Sequence, residues 1–269
     1  MRHQMLGVVA ISFNEEVDIE GFLNNLHDKV DEIVIVDDGS TDKTREICES
    51  FGEKVTFLNS KRKKGEYYAD QRNKGINKSK SDWILHMDID ERVSKELFDE
   101  IKIAINLNKY DAFKFRRLNY FLHRPMRGGG WADWNLVHLA KREVLKFEGM
   151  YHERIILNSK NVGQLKEKMH HFNDDSYSER LKKSLIYQNE EVKKLETSDE
   201  KITFIKIFIR TIKEFLIKFL YKKGYLDGTP GLISAIHSSF AVFRANSLVW
   251  DKQNSISRSS LENIFKKNG

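Results

Sequence analysis

Two aspartates separated by one residue form the part of this sequence best suited to bind a cation. Residues 83–87 are largely apolar and predict a buried strand, and Asp88 and Asp90 follow it directly. Alternate side chains of an extended chain point the same way, so both carboxylates share one face, about 6–7 Å apart. Such a pair suits Mg²⁺ or Mn²⁺, with one carboxylate binding directly and the other through water or a ribose hydroxyl. The structural alternative is that Asp90 or Ser94 caps a following helix.

The elements that must position this pair are predicted from hydrophobic runs earlier in the chain. Short apolar, β-branched runs at residues 5–12, 32–36 and 55–58 predict strands, and a helix with the apolar stripe Ile19, Phe22, Leu23 and Leu26 separates the first two. A second helix is predicted over residues 44–51. Repeated strand–helix–strand passages indicate an α/β fold with a parallel sheet and right-handed crossovers.

Three polar clusters follow these strands. In open parallel sheets, ligands bind beyond the carboxyl ends of the strands, so the clusters should meet at one site. They are Asn14-Glu15, Asp37-Asp38 and Asp88-Ile89-Asp90. The first strand is not followed by a Gly-x-Gly-x-x-Gly motif, and the chain contains no Gly-Lys-Ser/Thr phosphate loop. These absences argue against a dinucleotide fold and against a P-loop NTPase.

Composition limits the class of protein. With 269 residues, 40% hydrophobic and 32% charged, the chain can form one large α/β domain and a helical extension. The single cysteine, Cys48, excludes an internal disulfide and fits a reducing compartment. We expect neither a signal peptide at residues 1–12 nor a membrane-spanning segment, since no window reaches 18 uncharged apolar residues.

The net charge of +6 and the pI of about 9.1 point to an anionic partner. Nucleic acid, an anionic membrane surface and anionic small molecules all fit that charge. The sequence shows no zinc-finger spacing, no RNP-type motif and no helix-turn-helix, so we expect no nucleic-acid partner.

Two of the motifs carry a resemblance to a known family. Residues 8–16 and 33–42, followed by the Asp-x-Asp pair, resemble the opening of the family 2 glycosyltransferases, and the resemblance covers about residues 5–155. It implies a GT-A nucleotide-diphospho-sugar transferase fold, a nucleotide-sugar donor and a divalent metal cofactor, Mn²⁺ or Mg²⁺. By the same resemblance, Ser12, Asn14 and Glu15 would line the nucleotide pocket. Asp38 would bind the base or ribose, and Asp90, helped by Asp88, would hold the metal.

The resemblance also assigns roles to Arg72 and His171. Residues 61–75 resemble the segment that precedes a helix whose arginine, here Arg72, contacts the base or a phosphate; the alternative is a surface arginine. The basic run at residues 61–64 is interpreted as a solvated loop. His171 follows a strand predicted at residues 162–165 and would open a polar turn. In the family a histidine at this point approaches the metal or diphosphate, and the alternative is an ordinary loop residue.

Catalysis requires a base near the acceptor. An inverting glycosyl transfer needs a carboxylate to take the proton of the attacking hydroxyl. His152-Glu153 resembles the His-Glu pair of the family branch that glycosylates the lipopolysaccharide inner core, which implies Glu153 as the base. Asp133 and Glu148 are rivals for that role. The structural alternative is an ion pair between Glu153 and a neighbouring cation.

Acceptor binding is assigned to residues 127–134. Three glycines there allow a flexible or closely approached backbone, and Trp131, Asp133 and Trp134 offer flat faces and a carboxylate to a sugar. The alternative is a mobile loop with two packing aromatics.

The remainder of the chain is predicted to be helical. Helices are expected over residues 177–197, 201–223 and 232–250, with a polar, frayed tail from residue 253. In 202–223, Lys206, Arg210 and Lys213 share one face of a strongly apolar helix, a pattern that suits an anionic membrane interface. The alternative is a helix packed on the catalytic domain.

The predicted organisation is a catalytic domain over residues 1–172 and a helical extension over 173–269. The catalytic domain would divide into a donor half, 1–92, and an acceptor half, 93–172.

The resemblance implies a metal-dependent inverting transfer of a hexose from UDP-glucose or UDP-galactose. The acceptor would be a cell-surface glycan or glycolipid, such as the lipopolysaccharide or lipooligosaccharide core, reached at the cytoplasmic face of the inner membrane. A nucleotidyltransferase would carry a glycine-rich basic loop after the first strand, which residues 13–16 lack. A non-catalytic sugar- or membrane-binding module is the other alternative.

Overall fold

The structure is a computed structural model that describes residues 3–150 and 153–268. The chain divides into two compact units. The first comprises Met1–Asn119 and Asp133–Asn173, and the second comprises Tyr120–Ala132 and Asp174–Gly269. The excursion over residues 120–132 was not anticipated from the sequence, where the predicted division was a single boundary at residue 172.

The first unit begins with parallel strands in the order β3-β2-β1-β4. Their bounds are β1 Leu6–Ser12, β2 Glu32–Asp37, β3 Val55–Asn59 and β4 Trp83–Met87, and the intervening helices are α1 Ile19–Leu26, α2 Thr44–Ser50 and α3 Tyr68–Lys78. Ser12 pairs in register with Asp37, so the carboxyl ends of β1 and β2 meet at one edge. The predicted α/β fold with a parallel sheet is confirmed.

Close packing of helices on this sheet explains the local sequence. The predicted apolar stripe of α1 is completely buried. Helix α3 approaches β1 so closely that a Cβ at Gly75 would overlap the Val9 side chain. A larger residue at position 75 would therefore push α3, and with it Arg72, away from the sheet.

The sheet continues with mostly antiparallel strands in the order β4-β8-β6-β11-β5. The elements are β5 Glu91–Arg92, α4 Lys95–Leu107, β6 Ala112–Phe121, β7 Arg124–Pro125, β8 Asn135–Lys141, β9 Leu145–Glu148, β10 Arg154–Leu157 and β11 Val162–Asp174. Strands β9 and β10 form a separate antiparallel pair. Ser94, whose hydroxyl accepts from the Leu97 amide at 3.2 Å, is the cap of α4.

Strand β11 is longer than predicted. The expectation of a short strand at 162–165 and a polar turn at His171 is wrong, because β11 continues to Asp174 and pairs with β5, placing His171 opposite Glu91. Backbone pairing with a distant strand keeps this polar segment extended, and neither its composition nor its local pattern indicates that partner.

The second unit is mainly helical. Its helices are α5 Tyr177–Thr197, α6 Phe204–Leu216, continued by a π-helical turn Ile217–Tyr221, α7 Gly228–Asn254 and α8 Arg258–Asn268. Helix α7 packs on α5 and α6 around a small core of Val192, Ile202, Ala245 and Val249. The predicted helices are present, but α7 extends four residues beyond its predicted range of 232–250 at each end, and α8 replaces the expected frayed tail.

One helical stretch in the described ranges, Gly224–Asn254, is long and apolar enough to cross a membrane by length and composition. Core helices of soluble proteins pass the same test, and 39% of its apolar window is buried within the protein. This result therefore does not by itself indicate a membrane span.

Candidate active site

Arg72 links two acidic side chains at the carboxyl edge of the parallel strands. It projects from α3 and is only 5% exposed. Its Nη2 donates to Asp88 Oδ1 at 2.5 Å, and its Nε donates to Glu153 Oε1 at 2.8 Å. Burial opposes charge on Arg72, but Asp88 and Glu153 raise its pKa. Arg72 therefore stays charged and fixes both carboxylates.

Arg117 is a site residue that the sequence interpretation missed. From β6 it reaches the other oxygen of Asp88 at 3.0 Å, and its Nε lies 2.6 Å from Glu91 Oε1. Burial disfavours the Asp88 carboxylate, but Arg72 and Arg117 hold the pKa of Asp88 well below its usual range. Strand alternation was an available signal, because Arg117 is two residues after the buried Phe115 and so belongs to the inward face.

Glu91 is a second site residue to which the sequence interpretation assigned no role. Its side chain is fully buried, and Oε2 accepts a hydrogen bond from the Asp88 amide at 2.8 Å. Burial raises the pKa of Glu91 to about 7, with Arg117 opposing the shift and Asp88 adding to it. Glu91 thus stabilises the turn that carries Asp88 and Asp90.

Asp90 and His171 form a pair on one side of this cluster. His171 Nε2 lies 3.2 Å from Asp90 Oδ2, and its Nδ1 lies 2.7 Å from Asn119 Oδ1. Pairing of β11 with β5 creates this contact, and the Phe172 amide also donates to the Asp90 carbonyl. Burial opposes the imidazolium, but Asp90 and Glu91 raise the pKa of His171.

The pair has the chemistry of a two-ligand metal site. The Asn119 side-chain oxygen accepts a hydrogen bond from Nδ1–H of His171. Nε2 and Asp90 Oδ2 therefore face each other as lone-pair atoms, and a proton or a cation between them would bind both. Asp90 Oδ1 is buried and has no hydrogen-bond partner in the described part of the chain. Within residues 3–150 and 153–268, no three His, Cys, Asp or Glu side chains converge on one ion. Two protein ligands with substrate oxygens and water fit a divalent cation here.

Asp88 differs from Asp90, although the sequence assigned both to the metal. Both Asp88 oxygens face arginines, so its charge is already balanced. The metal role of Asp88 stays a prediction, and the geometry favours Asp90 and His171 as ligands.

The loops after β1 and β2 are joined at the predicted nucleotide pocket. Asn14, with a left-handed φ of 55°, donates its amide to Ser40 Oγ at 2.7 Å, and its Oδ1 accepts from the Thr41 amide at 2.8 Å. The Glu15 amide donates to Thr44 Oγ1 at 2.8 Å. The Ser12 hydroxyl, buried, donates to Asp37 at 2.9 Å. These bonds hold both loops at one edge, as predicted; binding of a nucleotide by Ser12, Asn14 and Glu15 stays a prediction.

Asp38, predicted to bind the base or ribose, pairs with Arg62. The Arg62 guanidinium lies 2.7 Å from Asp38 Oδ2 and 4.1 Å from the centre of the Tyr68 ring. Residues 61–64 were interpreted as a solvated loop, but Arg62 contacts both Asp38 and Tyr68. A planar guanidinium on an aromatic ring at a strand end offers a flat surface next to Asp38.

Glu153 is the predicted base, and a base needs a carboxylate oxygen that can accept a proton. Oε1 binds Arg72, whereas Oε2 is buried and without a hydrogen-bond partner among the described residues. The preceding His152 lies outside the described residues. The rival Glu148 pairs instead with Lys146 at 2.8 Å.

The predicted acceptor residues are divided between the units. In the first, Asp133 is exposed and Trp134 is 52% exposed. In the second, the Trp131 indole donates to Ser234 Oγ at 3.0 Å. Its ring centre lies 5.7 Å from that of Phe121. Asp227 accepts from the amides of residues 127 and 128, which anchors the glycine segment. Acceptor binding by these three side chains stays a prediction.

Comparisons with known proteins agree with the geometry. A model of the family described as "Glycosyl transferase family 2" matches residues 7–163. An uncharacterized glycosyltransferase of Rickettsia bellii is 29% identical over 252 residues, covering 88% of this chain and 83% of that protein. The cholesterol galactosyltransferase of Borreliella burgdorferi is 22% identical over 244 residues, covering 87% of this chain and 64% of that protein.

Among solved structures, S. aureus TarS 1–349 matches with a TM-score of 0.49 and 15% identity, covering 93% of this chain and 84% of that one. The family model spans more than half of the chain and includes each strand end at which the polar clusters meet. The chain therefore belongs to glycosyltransferase family 2 and has its GT-A nucleotide-diphospho-sugar transferase fold.

Proposed function

We propose that this protein is a metal-dependent inverting hexosyltransferase that uses UDP-glucose or UDP-galactose. Its acceptor is a cell-surface glycan or glycolipid, such as the lipopolysaccharide or lipooligosaccharide core. The observation that carries the proposal is a pair of buried carboxylate oxygens, Glu153 Oε2 and Asp90 Oδ1. Neither has a hydrogen-bond partner among the described residues. One suits a base and the other suits a metal ligand.

Glu153 is the base in this proposal. Arg72 holds Oε1, so Oε2 is directed without a competing hydrogen bond and accepts the proton of the attacking acceptor hydroxyl. Attack from the face opposite the leaving nucleotide would invert the anomeric carbon.

Asp90 and His171 are the proposed metal ligands. A divalent cation there would neutralise the donor diphosphate and stabilise it as the leaving group. Asn119 orients the His171 ring, so that Nε2 keeps its lone pair for the cation. Arg72 and Arg117 add two positive charges beside the proposed metal ligands, and Asp88 holds both guanidinium groups in place.

The choice of sugar and acceptor comes from resemblance. Residues 152–153 and the Lys-Gly-Tyr-Leu-Asp-Gly segment at 223–228 resemble the inner-core glucosyltransferase branch. The Borreliella relative is named for transfer of galactose to cholesterol. A hexose donor and a lipid-linked acceptor agree with both.

We also propose that the enzyme works as a peripheral protein on the cytoplasmic face of the inner membrane. Phe204, Phe208 and Ile212 form part of an exposed apolar stripe on α6, with Phe208 56% exposed. Residues 201–223 contain seven Lys or Arg and one Glu, a net charge equal to the +6 of the whole chain. A second copy would bring like charges together, so an anionic lipid surface is the complementary partner.

The positions of the cations refine this membrane proposal. Lys206 and Arg210 both bind Glu200, at 2.8 and 2.5 Å, so two of the three cations that were predicted to share a face are paired internally. Lys213 is exposed and lies beside the apolar stripe. Lys213 is therefore the cation best placed to meet a headgroup.

Donor hydrolysis tests the enzymatic proposal. Purified protein is incubated with UDP-glucose, UDP-galactose, their N-acetyl forms and GDP-mannose, with Mn²⁺ or EDTA, and the released nucleotide diphosphate is measured. Slow cleavage of a UDP-hexose that EDTA abolishes is the expected result. Cleavage of GDP-mannose alone would overturn the donor assignment. The proposal itself would be overturned if no donor released its nucleotide diphosphate and if calorimetry with Mn²⁺ showed no binding of UDP.

A further inference from the structure

A cationic cavity lies within the second unit, separate from the acids described above. It has a volume of about 700 Å³ and is lined by α5, α6, the π-helical turn after α6, and α7. Five cationic and two acidic side chains line it: Arg180, Arg210, Lys213, Lys218 and Arg244, with Glu191 and Glu214. The excess of positive charge suits an anionic ligand.

Several cations of this cavity have internal partners. Arg210 binds Glu200, and Arg180 lies 3.5 Å from Asp174. Lys218 lies 4.0 Å from Glu214, and the other acid, Glu191, pairs with Lys194 at 2.8 Å. The described residues provide no carboxylate partner for Lys213 or Arg244. These two cations are the ones available to a ligand.

Buried polar atoms in the same cavity lack partners. Arg244 donates to Ser184 Oγ at 2.5 Å through Nη2, but its Nε is buried and unbonded among the described residues. His237, 4% exposed, has its Nδ1 3.4 Å from the Tyr177 hydroxyl, and its Nε2 is likewise unpartnered there. Gln188 Oε1 is a third such atom. Buried donors and acceptors are normally satisfied, so these three atoms can bond a polar ligand or water that enters the cavity.

The electrostatics of His237 agree with an anion site. Burial lowers the pKa of His237 to about 4, and the charges of Arg180 and Arg244 add to the shift. The ring is therefore neutral at physiological pH and surrounded by positive potential. With Nδ1 accepting from Tyr177, Nε2–H becomes a donor next to the Arg244 guanidinium.

The cavity borders the apolar surface of α6. Lys213 and Ile217 line both the cationic cavity and a neighbouring apolar groove of about 770 Å³. The remaining lining residues of that groove are Phe208, Ile209, Ile212, Leu216, Leu220 and Tyr221. Phe243 and Trp250 of α7 line a further apolar groove with Phe208 of α6, so the exposed faces of the two helices join.

We propose that the cavity between α5, α6 and α7 binds the phosphate group of an anionic lipid whose acyl chains lie on the joined apolar faces of α6 and α7. Arg244, His237 and Lys213 donate to the phosphate, and Gln188 accepts from the O–H of a monoprotonated phosphate or of a headgroup hydroxyl. This inference rests on the proposed membrane attachment and names the headgroup that the attachment selects. It does not depend on the donor chemistry.

Vesicle co-sedimentation tests the assignment. Full-length protein is mixed with phosphatidylcholine vesicles containing either phosphatidic acid or oleate at equal surface charge. A phosphate site predicts about tenfold tighter binding to the phosphatidic acid vesicles, the range expected for hydrogen bonds to a charged group. Equal binding to both would overturn the phosphate site while leaving membrane attachment in place. Absence of binding to either would overturn both proposals.

Matched variants locate the effect. Arg244→Gln should remove the preference for phosphatidic acid, whereas Arg258→Gln removes the same charge from the exposed α8 and should preserve it. Equal losses in the two variants would overturn the cavity as the site. Circular dichroism checks that Arg244→Gln is folded. Lys213→Gln should also weaken the preference for phosphatidic acid, and because Lys213 is exposed this substitution should not disturb folding.

Soluble glycerol 3-phosphate distinguishes a lipid from a free phosphate ester. We expect it to compete with phosphatidic acid vesicles only weakly, because it lacks the chains that contact α6 and α7. Binding of glycerol 3-phosphate as tight as that of the vesicles would overturn the lipid assignment.

Discussion

Arg72 donates a hydrogen bond from Nε to Oε1 of Glu153 at 2.8 Å, although 81 residues separate the two in the chain. The same guanidinium binds Asp88. One buried cation from α3 therefore fixes the predicted base and the first acid of the Asp-x-Asp pair.

Arg72→Gln should lower the free energy of unfolding by about 2–4 kcal/mol, because it takes this cation from the partly buried Glu153 carboxylate and leaves Asp88 paired with Arg117 alone. Urea denaturation measures the loss. Arg45→Gln, which breaks an exposed i,i+4 pair with Glu49, is the control and should cost less than about 0.5 kcal/mol. Similar small losses in both variants would show that Arg72 does not stabilise the acids.

Glu153→Gln should lower the rate of sugar transfer by about 10²–10⁴-fold while leaving donor affinity intact, because it removes the general base and keeps the side-chain shape. Transfer kinetics and calorimetry with UDP separate the two effects. Glu143→Gln is the matched control at an exposed glutamate with no proposed role. Normal transfer by the Glu153 variant would move the base to Asp133 or Glu148.

Asp90→Asn should weaken Mn²⁺-dependent binding of UDP by at least about tenfold with little change in stability, because a metal ligand is lost rather than a core contact. Calorimetry with Mn²⁺ and with EDTA measures the metal-dependent part. Asp99→Asn, at an exposed site on α4 paired with Lys95, controls for the lost charge. Asp90→Asn that binds UDP normally but unfolds easily would assign Asp90 a structural role instead.

Asn119→Ala should reduce metal affinity by about 10–100-fold, the range for a group that orients a ligating histidine. The His171 ring then loses the acceptor that selects its tautomer. Titration of Mn²⁺ followed by electron paramagnetic resonance measures this without turnover. Unchanged affinity would argue that His171 is not a ligand.

His237→Gln should reduce the loss of stability below neutral pH. The folded pKa of His237, lowered to about 4 by burial and then by Arg180 and Arg244, lies below the ordinary value of 6.5, so the unfolded chain binds the proton first. The wild type therefore loses stability as pH falls from 6.5 towards 4, by about 1–2 kcal/mol at pH 5 from this group. Urea denaturation at pH 7 and pH 5 measures the difference. His3→Gln, at an exposed histidine, is the control; equal pH dependence in all three proteins would refute the prediction.

Local sequence pattern determined the donor half of the protein. Strands β1, β2 and β4 were predicted within a residue or so of their ends, because short buried strands in a parallel sheet are continuous apolar runs ended by polar residues. Their polar ends were expected to meet, because parallel strands bring their carboxyl ends to one edge. The bonds between the loops of Asn14 and Ser40 confirm that expectation.

Tertiary structure alone decided which polar side chains contact one another in the site. Arg117 reaches Asp88 across 29 residues and Asn119 reaches His171 across 52, and no local periodicity encodes such partners. The same holds for the second unit. Sequence identified the amphipathic α6, but packing against α7 decided which face is exposed. Helix period is a property of a single segment, whereas the partner of each face depends on how distant segments fold against it.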